Sequence, residues 1–344
     1  MANSSIATVD LSPFFIDGNE DGKKAAMEVI SRACSEYGFF QIVNHGIPND
    51  LILRAFELSK KFFSCPVEEK LKFGPELGAP VPAGYNNLDG NKEYLLICAP
   101  GTSFNVLPTN PLEFQRTLEE LFICYAKTGQ LVEGIINDCL GLPRNILKAN
   151  NNDRRGDILF AFDYPPAETE AVEFGTPEHQ DISCFTFVCQ YDVAGLEVRK
   201  DGVWIGLNPT EGALVVNVGD VIQVIQAPLV TFISSYTRLM YLLMLNVYDP
   251  KNYFQVLSNN KFKSAFHRVV RPKGKHRYSS VFFYNLHGDK WVEPLPQFTS
   301  EIGKLPKYRG FLHKDYLELR LRQRIQPPLT PEERIRVTHY AIPS

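Results

Sequence analysis

An antiparallel β-barrel or jelly roll, mainly β with flanking helices and entered through a mainly helical N-terminal region, is the fold the sequence predicts. From about residue 157 the chain breaks into short β-rich runs between turns, the texture of such barrels. Ahead of that point the apolar residues recur at helical spacing, with only a few strands between. The 344 residues, 44% hydrophobic and 22% charged, are ordinary globular material able to bury a sizeable core.

Taken in order, "IATVDLS" (6–12) alternates as a short strand, and "DGKKAAMEVISRACSEYG" sets Ala26, Val29, Ile30 and Ala33 on one helix face before Gly38 ends it. "FFQIVNHGIP" reads as a strand and turn. "NDLILRAFELSKKFFSC" reads as a helix, as does the long run from "NPLEFQ" to Leu140, stopped by Gly141 and Pro143. Beyond 157, "ILFAFDYPP", "CFTFVCQ", "GLEVRKDGVWIGL", "ALVVNVGDVIQV", "FKSAFHRVV" and "YSSVFFYNL" are the barrel strands. "HKDYLELRLRQR" is a final amphipathic helix. The expected organisation is therefore residues 1–150, mainly helical; 151–300, the β domain; and 301–344, a C-terminal helix and tail.

A net charge of −3 makes no electrostatic case for nucleic acid or anionic lipid, which leaves a small molecule as the expected partner. Seven cysteines, an odd count without a C-x-x-C pair, argue against a disulfide framework and a structural zinc site and fit a reducing compartment. "MANSSIATVDLSPFF" has no basic segment followed by an apolar stretch, so no secretory signal is expected, and the cytoplasm is the expected location.

His-x-Asp occurs three times: His179/Asp181, His287/Asp289 and His313/Asp315. On a strand, the first and third positions share a face, so both side chains reach one ion. Two ligands are too few, and a facial set of two histidines and one carboxylate needs a second imidazole. For His179/Asp181 that residue is His267, on a later predicted strand. Arg277 and Ser279 follow it at the two-residue spacing that lets a guanidinium fork and a hydroxyl bind one carboxylate. The other pairs fit less well. His287/Asp289 has only His339 downstream and no Arg-x-Ser, and His313/Asp315 falls in the predicted last helix, where i and i+2 diverge.

These motifs, with "ACSEYGFFQIVNHGIP", "FFSCPVEEKLKF", "PAGYNN", "YPP", "NVGDVIQV" and "SNNKFKSAFHRVV", run in order along nearly the whole chain. Together they resemble the plant-type 2-oxoglutarate/Fe(II)-dependent dioxygenases, the group of the flavonol synthases, gibberellin oxidases and the ethylene-forming oxidase. The resemblance implies a double-stranded β-helix (jelly-roll) core. It also implies iron ligands His179, Asp181 and His267, and Arg277, Ser279 and Tyr164 on 2-oxoglutarate. Phe162 stands where many members carry an asparagine, so one polar contact to the co-substrate is expected to be missing. His45 in "VNHGIP" is expected to be a hydrogen-bonded turn histidine.

The likeness has one interruption. The family's run from "GD-x-x-Q-V" into "LSNNKF" is broken by residues 225–256, apolar except for Arg238, Asp249 and Lys251. Removing them restores the family's shorter spacing between Asp181 and His267. A surface loop of such composition favours association, so translated intron sequence is the expected origin. A lid over the site and a membrane span are the other readings; a central Arg238 counts against the span.

The resemblance implies a monomeric oxidoreductase of secondary metabolism that uses Fe(II), 2-oxoglutarate and O₂, with ascorbate as a possible reductant. It would hydroxylate, desaturate or demethylate a small specialised metabolite or hormone. Phe185, Phe187 and Phe283 share the parity of the site residues and are candidates for its pocket, with core packing as the competing fate. Two alternatives remain open at this point: an Fe(II)/ascorbate oxidase of the ethylene-forming type, and a small-molecule-binding barrel impaired by residues 225–256.

Overall fold

Residues 6–77, 81–88, 91–103, 105–109, 111–143, 145–150, 154–169, 173–220, 261–286, 288–325 and 337–342 are described in the computed structural model. The apolar segment 225–256 and His287 lie outside them.

The chain opens with β1 (Thr8–Asp10) and α1 (Glu20–Glu36), which leads to β2 (Phe39–Val43) lying parallel to β1. Asn19 caps α1, its side chain accepting from the Gly22 amide, and Ala26, Ile30, Ala33 and Cys34 form its buried stripe. Next come α2 (Asn49–Phe63), α3 (Val67–Leu71), β3 (Gly84–Leu88) and β4 (Lys92–Cys98), then α4 (Leu112–Leu140) and α5 (Ile146–Asn150). Gly141 ends α4 in the left-handed conformation, φ 70°, as its position after the last apolar turn predicts.

The β-rich part runs β5 (Ile158–Tyr164), β6 (Phe174–His179), β7 (Phe185–Gln190), β8 (Leu196–Lys200), β9 (Val203–Leu207), β10 (Leu214–Val218), β11 (His267–Val270) and β12 (Arg277–Tyr284). A short hairpin of β13 (Trp291–Val292) and β14 (Phe311–Leu312) precedes α6 (His313–Ile325). Eight strands form one sheet in the order β1-β2-β10-β7-β12-β5-β4-β3, and four form a second in the order β6-β11-β8-β9. Residues of both, among them Phe39, Tyr164, Val188, Val198, Val215 and Val269, share one buried cluster, so the sheets face each other as the two layers of a jelly roll.

The other face of the large sheet is covered by α2 and α4. Tyr125 of α4 stacks on Phe282 with ring centroids 5.2 Å apart and bonds the Ser280 hydroxyl at 2.7 Å. The strands β3 and β4, read from sequence only as part of a mainly helical region, extend this sheet by pairing β4 against β5, Tyr94 opposite Phe162. β3, GYNNL, has too few apolar residues for a period-two signal, and the run YLLIC of β4 is continuously apolar rather than alternating; the long-range pairing with β5 makes them strands.

Candidate metal centre

β6 and β11 are antiparallel neighbours in the small sheet, and their register places His179 directly opposite His267. The two imidazole centroids are 4.2 Å apart. Asp181 Oδ1 lies 3.5 Å from His179 Nε2 and 3.6 Å from His267 Nε2, and one donor atom from each of the three residues fits within 4.8 Å of the others. The sequence places Asp181 on the strand, whereas β6 stops at His179. The chain turns towards β7 after that point, yet Asp181 still faces the imidazoles while the intervening Gln180 points away, its amide donating to Ser264 O at 2.8 Å.

Each donor is oriented by a second contact. His179 Nδ1 lies 2.8 Å from Pro177 O and His267 Nδ1 3.2 Å from Ala265 O. A carbonyl only accepts, so both Nδ1 atoms carry a proton and Nε2 is the nitrogen each ring directs into the centre. Asp181 Oδ2 accepts from the Thr186 hydroxyl at 2.6 Å and from Asn217 Nδ2 at 2.8 Å, which leaves Oδ1 directed at the imidazoles. Asp181 and His267 are buried, and the half-buried edge is that of His179, 27% exposed, so the centre opens on that side.

Charge is balanced within the group. Burial pushes His179 down to about 4, helped by the neighbouring His267. Burial alone would raise Asp181, but the His267 charge and the imidazole hydrogen bonds outweigh it and hold the carboxyl well below its usual range. For His267, burial lowers the pKa, and the Asp181 carboxylate reverses it to a net rise. Two neutral-capable imidazoles and one carboxylate form a donor set suited to a divalent first-row ion.

Gly219 lets β10 approach this corner: a Cβ there would lie 2.0 Å from Ser183 O. The next residue, Asp220, donates its amide to Asp181 O at 2.8 Å.

Arg277, the first residue of β12, lies in the interior between the sheets at 0% exposure. Its Nη1 donates to Ser279 Oγ at 3.2 Å, its Nη2 to Gln190 Oε1 at 2.9 Å, and its guanidinium sits 5.2 Å from the Tyr164 ring centroid. Nε has no partner, and no carboxylate pairs with this cation among the described residues. A Cβ on Gly195 would touch both Arg277 Cδ (2.9 Å) and Val270 O (2.7 Å), so the side chain reaches across to the strand that starts with His267. Tyr164 packs over Gly175, where a Cβ would lie 2.2 Å from its ring, and its hydroxyl is 3.2 Å from Thr176 Oγ1. Phe162 is paired opposite Ser279 and stacks against Tyr164 at 5.5 Å.

The other expectations divide. Thr186, Asn217 and Gln190, the polar partners of Asp181 and Arg277, were missed; their signal was a polar residue interrupting the apolar runs "FTFVCQ" and "LVVNV". Phe185 and Phe187 pack away from the site, into the cluster under α4, because the turn after Asp181 reverses the parity carried along β6. Phe283 stays on the inner side, edge-on to Phe160 at 5.5 Å. His45 is buried in its turn, Nδ1 accepting from the Ile47 amide at 3.2 Å, and is not part of the donor cluster. His313 opens α6, as the helical reading of the third His-x-Asp pair requires.

A jelly roll whose inner face brings two imidazoles, a carboxylate and a buried arginine together defines the class of facially ligated non-haem metal oxygenases. The comparisons with known proteins agree. Residues 6–95 match the N-terminal region described as non-haem dioxygenase in morphine synthesis, and residues 151–229 and 246–286 match the 2OG-Fe(II) oxygenase superfamily, leaving 230–245 unmatched. Jasmonate-induced oxygenase 1 of Arabidopsis thaliana is 32% identical, over 87% of this chain and 68% of the relative. Flavonol synthase/flavanone 3-hydroxylase of the same plant is 29% identical, over 91% and 84%. The crystal structure of JOX2 in complex with 2OG, Fe and JA superposes with a TM-score of 0.70 at 26% identity, covering 91% of this chain and 84% of that one. The chain belongs to the 2OG-Fe(II) oxygenase superfamily: it is an oxidoreductase, a dioxygenase dependent on Fe(II) and 2-oxoglutarate.

Proposed function

We propose that His179, Asp181 and His267 hold the Fe(II), that Arg277, Ser279 and Tyr164 receive the distal carboxylate of 2-oxoglutarate, and that the enzyme oxidises a C–H bond of a small apolar or aromatic metabolite. One observation carries the reading: a guanidinium at 0% exposure with only neutral partners, on the inner face that also holds the three converging donors. An unpaired buried cation is costly, and a dicarboxylate that chelates a metal at one end would supply the missing charge at the other.

Bound iron with 2-oxoglutarate and O₂ supplies the oxidant that removes hydrogen from the substrate, while 2-oxoglutarate is converted to succinate and CO₂. The chain's own part is placement. The backbone-anchored imidazoles and the twice-bonded Asp181 hold their donor atoms convergent, so they would bind the ion through three protein ligands, a number that leaves room for 2-oxoglutarate and O₂. Phe162, in place of a polar residue, offers 2-oxoglutarate packing where a hydrogen bond is absent. The wall beyond it is aromatic: Tyr94, Phe160 and Phe162 lie with centroids 5.1 to 5.5 Å apart, and Phe283 closes the edge. Such a surface favours a flat or apolar substrate over a highly charged one.

The reading extends to a cytoplasmic monomer of secondary metabolism; the odd count of seven cysteines without a C-x-x-C pair supports the location. The three-part organisation at 150 and 300 is retained in it, and residues 225–256 are translated intron sequence. The gap in the superfamily match at 230–245, inside that segment, supports this. A panel of plant metabolites incubated with the enzyme, Fe(II) and 2-oxoglutarate, with succinate as readout, tests the function. Substrate-dependent succinate in equal amount to oxidised product is expected. Product without succinate, supported by ascorbate, would overturn the reading in favour of the ethylene-forming type.

A further inference from the structure

The peptide between His179 and Asp181 is held by tethers that the metal chemistry alone does not account for. β6 ends at His179, so Asp181 has no strand partner to fix its direction. Three hydrogen bonds replace the ladder. Gln180 Nε2 donates to Ser264 O, the Asp220 amide donates to Asp181 O, and Arg320 Nη2 donates to Gln180 O at 2.9 Å. The third comes from α6, 140 residues along the chain.

Arg320 is itself locked. Its Nη1 donates to Asp220 Oδ2 at 3.1 Å and to the Tyr316 hydroxyl at 2.7 Å, and that hydroxyl donates to the same Asp220 oxygen at 2.7 Å. Tyr316 and Asp220 are buried at 0% and 1%, and Arg320 is 17% exposed. Tyr316 and Arg320 are one helical turn apart, so a single face of α6 delivers both. A guanidinium spanning a main-chain carbonyl and a carboxylate is a rigid brace with two fixed directions.

We propose that Arg320 is a positioning residue of the metal centre: with Tyr316 and Asp220 it fixes the Gln180 peptide and so the angle at which His179 and Asp181 present their donor atoms. The inference rests on the reading of those two residues as iron ligands. It assigns the C-terminal helix a part in metal affinity beyond covering the barrel. Contacts that orient a ligand from behind change metal affinity by roughly 10- to 100-fold when removed.

Full-length Arg320→Met, Arg320→Lys, Tyr316→Phe and Asp181→Ala, with the unaltered chain, are compared for Fe(II) affinity by anaerobic equilibrium dialysis. Thermal unfolding is followed with and without Fe(II). Arg320→Met should bind Fe(II) roughly 10- to 100-fold more weakly and lose most of the metal-induced rise in Tm, with Arg320→Lys restoring part of both. A helix that merely covers the barrel would lower Tm in the metal-free and metal-loaded forms alike and leave the affinity unchanged, which overturns the inference. Should Arg320→Met fail to fold, Tyr316→Phe decides: a severalfold weaker affinity supports the brace, and an unchanged one overturns it. Asp181→Ala separates the two readings. If it keeps full affinity, the ligand assignment falls and the brace with it; if it loses binding while the Arg320 variants keep theirs, the brace alone falls.

Discussion

Replacing Arg277 with methionine tests the co-substrate site with effects of opposite sign in the free and bound protein. The guanidinium is fully buried, its two hydrogen bonds go to the neutral Ser279 and Gln190 oxygens, and Nε has no partner. Burying a charge without a counter-charge costs several kcal/mol, so a methionine of similar length should leave the free protein as stable as before, or more so. With 2-oxoglutarate present the sign reverses. Losing one side of a buried, hydrogen-bonded charge pair costs about 2–5 kcal/mol, a roughly 30- to 5,000-fold rise in Kd. Thermal unfolding with Fe(II) under argon reads both effects. A hundredfold excess of 2-oxoglutarate over Kd should stabilise the unaltered protein by about 2.7 kcal/mol. In a chain of this size that is on the order of 5 °C. At the same concentration Arg277→Met should gain less than about 1 kcal/mol. An unchanged shift, or a free protein that melts many degrees lower, would refute the argument and make Arg277 a structural residue.

Four further outcomes are expected. Asp181→Asn should lose Fe(II) more than about 100-fold by metal analysis while the metal-free Tm is kept, because Thr186 and Asn217 can still bond the amide oxygen. Thr186→Val should weaken Fe(II) about tenfold in the same assay, since the carboxylate retains only Asn217. Burial raises the Cys34 and Cys184 thiols well above their ordinary range and pushes Cys189 up to about 12, so all three stay protonated at pH 8. Exposed Cys65 should therefore be alkylated first in the folded protein, and equal labelling of Cys34 by mass spectrometry would contradict that. Deleting residues 225–256 should raise the monomer fraction on size exclusion, because the segment is apolar apart from Arg238, Asp249 and Lys251, and should not lower the iron content per chain, because Asp220 and Lys263 are tied to Asp181 and Cys34 on either side of the cut.

What was legible in the sequence was what repeats with a short period or sits at fixed offsets. His-x-Asp, the later His267 and Arg-x-Ser could be selected from three competing pairs by parity and neighbours, and the structure brings those residues together. The helices α1, α2 and α4 were legible from their apolar stripes and from Gly141. Parity failed where the chain leaves the ladder: between Asp181 and Phe185 it turns, and Phe185 and Phe187 go to the helical side. The brace was invisible for a different reason. Tyr316 and Arg320 look like any amphipathic pair, and their meaning depends on Asp220 and Gln180, which only the fold brings near.

Both imidazoles take their aim from main-chain oxygens two residues upstream, Pro177 and Ala265. No single side-chain replacement erases a peptide carbonyl, so this half of the centre is shielded from genetic drift. Asp181 depends on a threonine, an asparagine and a remote helix, each one codon away from failure. Inactivating variants that spare all three donors should accordingly gather on the carboxylate's side, leaving the surroundings of the histidines comparatively free to diverge.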